Sequence, residues 1–458
     1  MDGRPNTKTR IAMRLALVLA LALTMAACGQ SNQPPGDDGK DGDGDDGPKP
    51  PQGDPQAVHD TIAYVAAGGD EIRLIDPDGS DDRRLWAHGQ DDPEGVYDVW
   101  TMAWNPQSTR LAFASTHENW CSLFGSDIFS IGADGTQYER ITQAPSCAEL
   151  ADFPQGTVRV PVKNYSFDSF TGFMYYQGAA SLQMVTLPPN GTGMVTFTDV
   201  ADFGSGEDWL QVASLIVASN REVMFSSLAD VQAGGTVTTS EVSVYEPAGF
   251  WEAHSPSWRR DGTAVSFIYN FNSFTELPAH PEPLTFGTNL MAETADFPLF
   301  VDLVARGPTS ETANDILYAG TESFESTAIY LVSDGSSGPG EPLVEYDSTE
   351  SILGLAWLPD GSGFVYSVTE GDFFGEERSA NLFLFDFQTG MPERITDFVG
   401  EFAGLLSVSP DGTAVVFERA DAQVEFSDEL LEPDLWVVRG DGSLELLVEE
   451  ARAPAWSW

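Results

Sequence analysis

The sequence contains few of the basic residues on which nucleic-acid binding depends. Lysine and arginine number 22 against 71 aspartates and glutamates, which gives a formal net charge of −49. Such a negative field repels phosphate backbones, so nucleic acid is a poor partner. It favours cations, cationic partners or plain solubility in salt. Adaptation to high salt is the simplest explanation of this acidity and of the scarcity of lysine, which occurs at Lys8, Lys40, Lys49 and Lys163.

Motifs that carry chemistry are also missing. The sequence has no G-x-S-x-G elbow, H-E-x-x-H helix or Walker loop. Its histidines are scattered without ligand spacing, at His59, His88, His117, His254 and His280. We therefore predict no catalytic residue, no metal site and no cofactor, although a site assembled from distant loops stays open.

Helical patterning is nearly absent beyond the N-terminus, which carries a different signal. The basic residue Arg14 precedes the apolar run 15–23, and small residues stand directly before Cys28. A run this short does not span a bilayer, but it is typical of a secretory signal. The small residues before the cysteine resemble a lipobox, with Met25 in place of the more usual leucine.

The N-terminal pattern predicts an exported lipoprotein. Residues 1–27 form its signal peptide, and a lipid on Cys28 anchors the chain in a membrane. Gly29 follows the cysteine where aspartate would favour the inner membrane, so we expect the outer membrane. The alternative is an ordinary signal peptide with an incidental cysteine.

Residues 28–57 form an acidic tether after this anchor. This segment is rich in Gly, Asp and Pro and contains no large aliphatic or aromatic side chain before Ala57. It therefore has no apolar surface to bury. Aspartates alternate from Asp41 as in calcium loops, but Asp46 stands where such a loop needs glycine. A solvated linker is therefore favoured over a Ca²⁺ site.

Two further cysteines, Cys121 and Cys147, follow the tether. Exported compartments permit disulfides, so we predict a bridge between them. Two free, buried thiols are the alternative.

The remaining residues, 58–458, are built from repeats. Residues 99–142 and 351–396 share an A-W-x-P segment, a short apolar strand, a loop, a [DN]-[IL]-F strand, a glycine turn and a closing E-R-I-T. Alternating apolar residues predict four short strands in each unit, and Asp-Gly pairs such as Asp261-Gly262 mark the hairpins. Such units predict one all-β propeller, in which these aspartates are turn residues.

Tryptophan spacing predicts the number of blades. Trp104, Trp258, Trp357 and Trp456 occupy one repeat position and are separated by 154, 99 and 99 residues. With units of about 50 residues, these separations predict eight blades, with seven and then six as alternatives. The intermediate units would begin near Ser166, Leu215, Val304 and Val408.

The two ends of the repeat region complement each other. The first unit, at 61–86, lacks the A-W-x-P strand, and the last residues, 453–458, consist of that strand alone. We expect the C-terminal strand to pair into the first blade and close the ring, which leaves no open sheet edge between the first and last blades.

The P-D-G-x-x-[VIL]-x-[FY] segments and the [DN]-[IL]-[YFW] strands that follow them resemble the WD40-like (PD40) repeats of TolB-family propellers. This resemblance covers residues 58–458 and is weak around 155–250 and 270–325. It implies a propeller that contacts protein. The chain has a tether where TolB has an N-terminal α/β domain, so a role in the Tol–Pal system does not follow.

Two function classes fit these observations. The first is a non-catalytic scaffold of the cell envelope that binds protein or envelope components such as glycans. The second is an extracytoplasmic carbohydrate-active lyase or hydrolase that uses the propeller channel. Oligogalacturonate lyases share the architecture but need clustered histidines, so we predict a binding protein and not an enzyme, with its ligand-binding residues unassigned.

Overall fold

The structure is a computed structural model. It describes residues 55–88, 98–118, 126–142, 153–165, 169–176, 178–179, 183–202, 213–217, 220–225, 231, 233–239, 241–244, 253–269, 273–279, 293–296, 300–323, 326–333, 341–347, 349–371, 378–421 and 430–458. The signal peptide, Cys28, most of the tether, Cys121 and Cys147 lie outside the described residues. The predictions made for them stay predictions.

All regular structure in these ranges is β, as predicted. Nothing in them is a helix long and apolar enough to cross a bilayer.

Two four-stranded sheets come first in the propeller sequence. One contains β1 (Ile62–Val65), β2 (Glu71–Ile75), β3 (Arg83–Ala87) and the last strand of the chain, β32 (Arg452–Trp456). The other contains β4 (Val99–Trp104), β5 (Arg110–Ser115), β6 (Asp127–Gly132) and β7 (Glu139–Arg140).

Four more groups of four strands follow after an interval. They are β16 (Ala253–Trp258), β17 (Ala264–Tyr269), β18 (Ser273–Pro278) and β19 (Glu293–Asp296); β20 (Phe300–Arg306), β21 (Asp315–Ser323), β22 (Ser326–Ser333) and β23 (Pro342–Asp347); β24 (Ile352–Trp357), β25 (Gly363–Glu370), β26 (Ser379–Asp386) and β27 (Met391–Arg394); β28 (Phe402–Val408), β29 (Ala414–Ala420), β30 (Asp434–Arg439) and β31 (Leu444–Val448). A single bridge, Ala380 to Phe402, joins the last two groups into one sheet.

Where the burial of a group's fourth strand is described, it is lower than that of its second strand. Every residue of β5 and β6 is buried, because neighbouring sheets cover both of their faces. In contrast, every residue of β27 is exposed. The apolar core therefore lies between the sheets, and the fourth strands form the outer surface.

The first strands of the six groups lie side by side in a cyclic order. β32 lies next to β4, which lies next to β16, and the order continues through β20, β24 and β28 back to β32. Tryptophan side chains join these neighbours. Trp104 Nε1 donates to Ala455 O at 3.0 Å, and Trp357 Nε1 donates to Ala305 O at 2.9 Å.

The pairing predicted between the two ends of the propeller sequence is present. β32 runs antiparallel to β1, with Ile62 opposite Trp456 and Ala63 opposite Ala455. The Trp456 indole is buried and donates to Asp60 Oδ1 at 2.8 Å.

Residues 155–244 form a separate β module with its own core. One sheet contains β8 (Gln155–Asn164), β11 (Thr192–Ala201), β14 (Thr236–Thr238) and β15 (Val242–Val244). The other contains β9 (Phe170–Tyr176), β10 (Gln183–Leu187), β12 (Ala213–Val217) and β13 (Asn220–Phe225). Their buried side chains, among them Val160, Tyr176 and Phe197, pack on one another.

This module lies in the stretch where the tryptophan spacing predicts two further units. Ser166 lies outside the described residues, and Leu215 lies in β12 of the module. β14 and β15 pair parallel with β8, and β4 lies directly against β16. Val304 and Val408, in contrast, lie in the first strands β20 and β28, as predicted.

The Asp-Gly pairs form hairpin turns, as predicted. Asp261 Oδ1 accepts from the Thr263 amide at 3.0 Å and from its hydroxyl at 2.6 Å, while Gly262 between them has φ +72°. Asp360 and Asp411 make the same contacts with Ser362 and Thr413. These bonds lower the pKa of Asp261 and Asp360 below the usual range, and at Asp411 a hydrogen bond from Ser409 Oγ is the main cause of the same lowering.

The repeated E-R-I-T segments also have a structural role. Thr142 Oγ1 donates to the buried carboxylate of Asp127 at 2.6 Å, and Thr396 Oγ1 donates to Asn381 Oδ1 at 3.0 Å. Each threonine thus fixes its fourth strand to the third. Arg140 adds an ion pair to Asp127.

Candidate functional site at the start of the first strands

The six first strands share an irregularity near their N-terminal ends. In each of them, pairing with the neighbouring strand shifts register within the opening residues, for example between Val99 and Met102 in β4 and between His254 and Ser257 in β16. β20, β24, β28 and β32 shift at the same place. Bulges re-aim side chains and expose backbone groups, so they are frequent at binding sites.

These irregular ends surround a cavity of about 300 Å³. All six first strands contribute to its wall, with Thr101, Ser255, Asp302, Leu353, Leu405 and Arg452 as one residue from each. A cavity of this size, bounded by both apolar and polar side chains, is typical of a ligand site.

Hydrogen bonds tie β4, β16 and β20 together on the polar side of the cavity. The Ser255 amide donates to Thr101 Oγ1 at 2.9 Å, and Ser255 Oγ donates to the main-chain oxygen of Asp302 at 3.2 Å. Ser255 has φ +51°, an uncommon conformation for a residue with a side chain. This strained residue sets the positions of His254 and Asp302 in the wall.

A carboxylate organises the opposite side. Glu418 is only 5% exposed, and it accepts from the Leu405 amide at 3.1 Å and from the Ala453 amide at 2.7 Å. These two amides lie at the bulges of β28 and β32, where they do not hydrogen-bond to the neighbouring strand, and Glu418 accepts from them instead. Arg452, at the beginning of β32, forms an ion pair with Asp98, which directly precedes β4.

His254 is neutral at ordinary pH. Desolvation by the surrounding protein lowers the pKa of its imidazole from 6.5 to about 4. Its Nδ1 lies 3.1 Å from Ser255 Oγ.

Of the other histidines, the described His59, His88 and His117 do not line this cavity. His117 is buried and contacts two hydroxyl groups. Its Nδ1 lies 2.8 Å from Ser115 Oγ, and its Nε2 lies 2.8 Å from Tyr138 Oη. His59 Nδ1 lies 3.2 Å from the main-chain oxygen of Trp458. His280 lies outside the described residues. Among the residues that the structure describes, no three histidine, cysteine, aspartate or glutamate side chains group to hold a metal ion.

Sequence reasoning assigned no residue to this cavity. His254, which has no ligand spacing to the other histidines in the sequence, lies in β16. One signal could have found the site. Three cavity residues precede an aligned tryptophan by three or four positions: Thr101, Ser255 and Arg452. An alignment of the repeats on tryptophan would therefore have identified them.

No family model matches this sequence, and no curated protein matches it significantly. Similar solved structures include TolB from Acinetobacter baumannii, with a TM-score of 0.46 and 14% identity over 87% of this chain and 66% of that chain. A protein assigned as TolB from Agrobacterium tumefaciens has a TM-score of 0.32 and 18% identity over 43% of this chain and 61% of that one.

A third similar structure is a nidogen/laminin complex, with a TM-score of 0.43 and 5% identity over 87% of this chain and 98% of that one. The chain thus spans less than two thirds of the length of either TolB chain. TolB, whose repeats this sequence resembles, is among the solved structures to which the chain is similar. At these identities the likeness concerns the fold alone.

Proposed function

We propose that the chain is a non-catalytic binding scaffold of the cell envelope, and that it holds a segment of a partner protein at the cavity where its first strands begin. The observation that carries this proposal is that all six first strands contribute to one cavity. A surface assembled from six separate strands is rigid, and rigid placement lowers the entropy lost on binding.

The fold that underlies this proposal is a six-bladed propeller closed by β32. Three observations support it: the six groups of four strands, the cyclic order of their first strands, and the pairing of β32 with β1. The module at 155–244 then projects between the second and third blades.

The envelope location follows from the N-terminal sequence. Lipidation at Cys28 would hold the chain on a membrane, and the tether would let the propeller reach partners at a distance. The outer membrane remains the expected site.

Site-specific photo-crosslinking in cells tests this proposal. A photoreactive residue replaces Leu431, which is exposed between the cavity residues Leu430 and Pro433. The matched control replaces Asp360, in a turn at the far end of the first strand β24. We expect a discrete protein adduct from position 431 and none from position 360.

Two results would contradict the proposal. The first is an adduct from position 360 with none from position 431, which would move binding to the turn face. The second is the release of new reducing ends when the purified chain is incubated with envelope polysaccharides, which would make the protein an enzyme.

A further inference from the structure

The hydrogen bonds around Ser255 determine which nitrogen of His254 carries the proton. Ser255 has one hydroxyl hydrogen, and the main-chain oxygen of Asp302 can only accept, so that hydrogen points to Asp302. Ser255 Oγ must then accept from His254 Nδ1, which lies 3.1 Å away. In a neutral imidazole this leaves Nε2 unprotonated and therefore a hydrogen-bond acceptor.

Among the described residues that line the cavity, the charged side chains are mainly acidic. Asp302 and Glu418 belong to its wall, and Asp98 stands behind the wall residue Arg452. Of the described lining residues, Asp302 and Glu418 are acidic and Arg452 is basic and paired with Asp98, while His254 is neutral. A positively charged ligand is attracted here, and the net charge of −49 on the whole chain strengthens that attraction.

The remaining wall is apolar and partly aromatic. Leu353, Leu405 and Leu430 belong to it, together with the half-buried Trp100. A cation that enters this cavity leaves much of its water behind. The guanidinium group is more weakly hydrated than an ammonium group and stacks on aromatic rings, so it fits this wall better.

We propose that the cavity binds a guanidinium group, whose N–H donors are accepted by His254 Nε2 and the Asp302 carboxylate while its aliphatic stem lies along Leu353 and Leu405. This inference rests on the proposed function, because it names the side chain by which a partner is held. The partner would thus present an arginine. A free guanidino compound offers the same chemistry, and the experiment separates the two sources.

Binding to the purified full chain is measured by titration calorimetry with three small probes. N-acetylarginine methylamide carries the guanidinium, N-acetylcitrulline methylamide has the same shape without charge, and agmatine is a free guanidino compound. We expect the arginine probe to bind and the citrulline probe to bind at least about tenfold more weakly, as the loss of a charged hydrogen bond predicts. Equal or tighter binding of agmatine would identify a free compound as the ligand.

Two variants connect this binding to the cavity. Asp302→Asn keeps the shape of the side chain and removes its charge, so it should weaken the arginine probe about tenfold or more and leave the citrulline probe unchanged. Asp315→Asn, at the start of the second strand β21, is the matched control and should change neither. If Asp302→Asn and Asp315→Asn bind the arginine probe equally, the assignment is wrong.

A spectroscopic measurement tests the proton position independently. Nitrogen shifts of histidine-labelled protein should show an unprotonated Nε2 and a protonated Nδ1 for His254, and Ser255→Ala should remove that preference. A protonated Nε2 in the wild type would overturn the inference. If the probes do not bind but crosslinks from position 431 persist, the guanidinium inference fails and the proposed function stands.

Discussion

The indole Nε1 of Trp258 donates to the main-chain oxygen of Ala103 at 3.0 Å, although 155 residues separate them in the chain. The same bond joins Trp357 to Ala305 across 52 residues. One repeated side chain therefore fastens each of these first strands to its neighbour, whether or not a module is inserted between the two groups.

Loss of the indole N–H should weaken both junctions alike. We expect Trp258→Phe and Trp357→Phe each to lower the free energy of unfolding by about 1–2 kcal/mol for the hydrogen bond, with an added packing loss. Urea unfolding of the two variants measures this. If Trp258→Phe were neutral while Trp357→Phe was destabilising, β4 and β16 would not be joined as described.

Removal of the inserted module should leave the propeller folded. We expect a chain in which a short Gly-Ser linker replaces residues 155–244 to unfold cooperatively within a few degrees of the wild type, because the module packs mainly on its own core. Calorimetry checks this. Loss of the cooperative transition would mean that the module supplies blades of the ring.

Removal of the last strand should have the opposite effect. Deleting residues 452–458 removes β32, its pairing with β1 and the buried Trp456. We expect a loss of several kcal/mol, aggregation or failure to accumulate. Deletion of the exposed Trp458 alone is the control and should be much milder. A truncated chain that melts within a degree or two of wild type would contradict closure by β32.

Mild acid should destabilise the protein through His117. Burial, with Arg140 and His88 nearby, lowers the pKa of this imidazole from 6.5 to about 3. Below pH 6.5 the imidazole is therefore protonated in the unfolded chain but stays unprotonated in the folded chain. The free energy of unfolding decreases as the pH falls from 6.5 towards 3.

The size of this effect can be measured against a variant that does not titrate. Between pH 7 and pH 5 the wild type should lose about 2 kcal/mol more than His117→Gln. Urea unfolding at the two pH values gives both differences. An equal loss in the two proteins would show that His117 accepts its proton in the folded state.

The anchor is tested by fractionation of cells. Because small residues precede Cys28 as in a lipobox, we expect Cys28→Ser to move the protein from the membrane fraction to the soluble fraction. The alternative of an incidental cysteine predicts no change. A wild-type chain that is already soluble would also refute the lipoprotein prediction.

The sequence by itself determined the local structure. The alternation in segments such as Ala414–Ala420 predicted strands, and Asp-Gly pairs such as Asp411-Gly412 predicted the turns, because both signals depend only on neighbouring residues. It also determined the match between the chain ends, since the first unit lacked the strand that residues 453–458 supply.

Only the tertiary structure decided what lies between Trp104 and Trp258. Spacing alone cannot distinguish three blades from one junction plus an insertion, because β strands of either kind have similar lengths and compositions. The hydrogen bond from Trp258 to Ala103 shows that β16 lies directly against β4.

The cavity was equally hidden in the sequence. Thr101, His254 and Asp302 are far apart along the chain and follow no motif, so nothing local marks them. They meet because the first strands, each with a register shift near its start, all contribute to one cavity wall, and the packing of whole sheets against one another brings those starts together. The sequence thus determines the strands, and the packing of the sheets against one another determines the site.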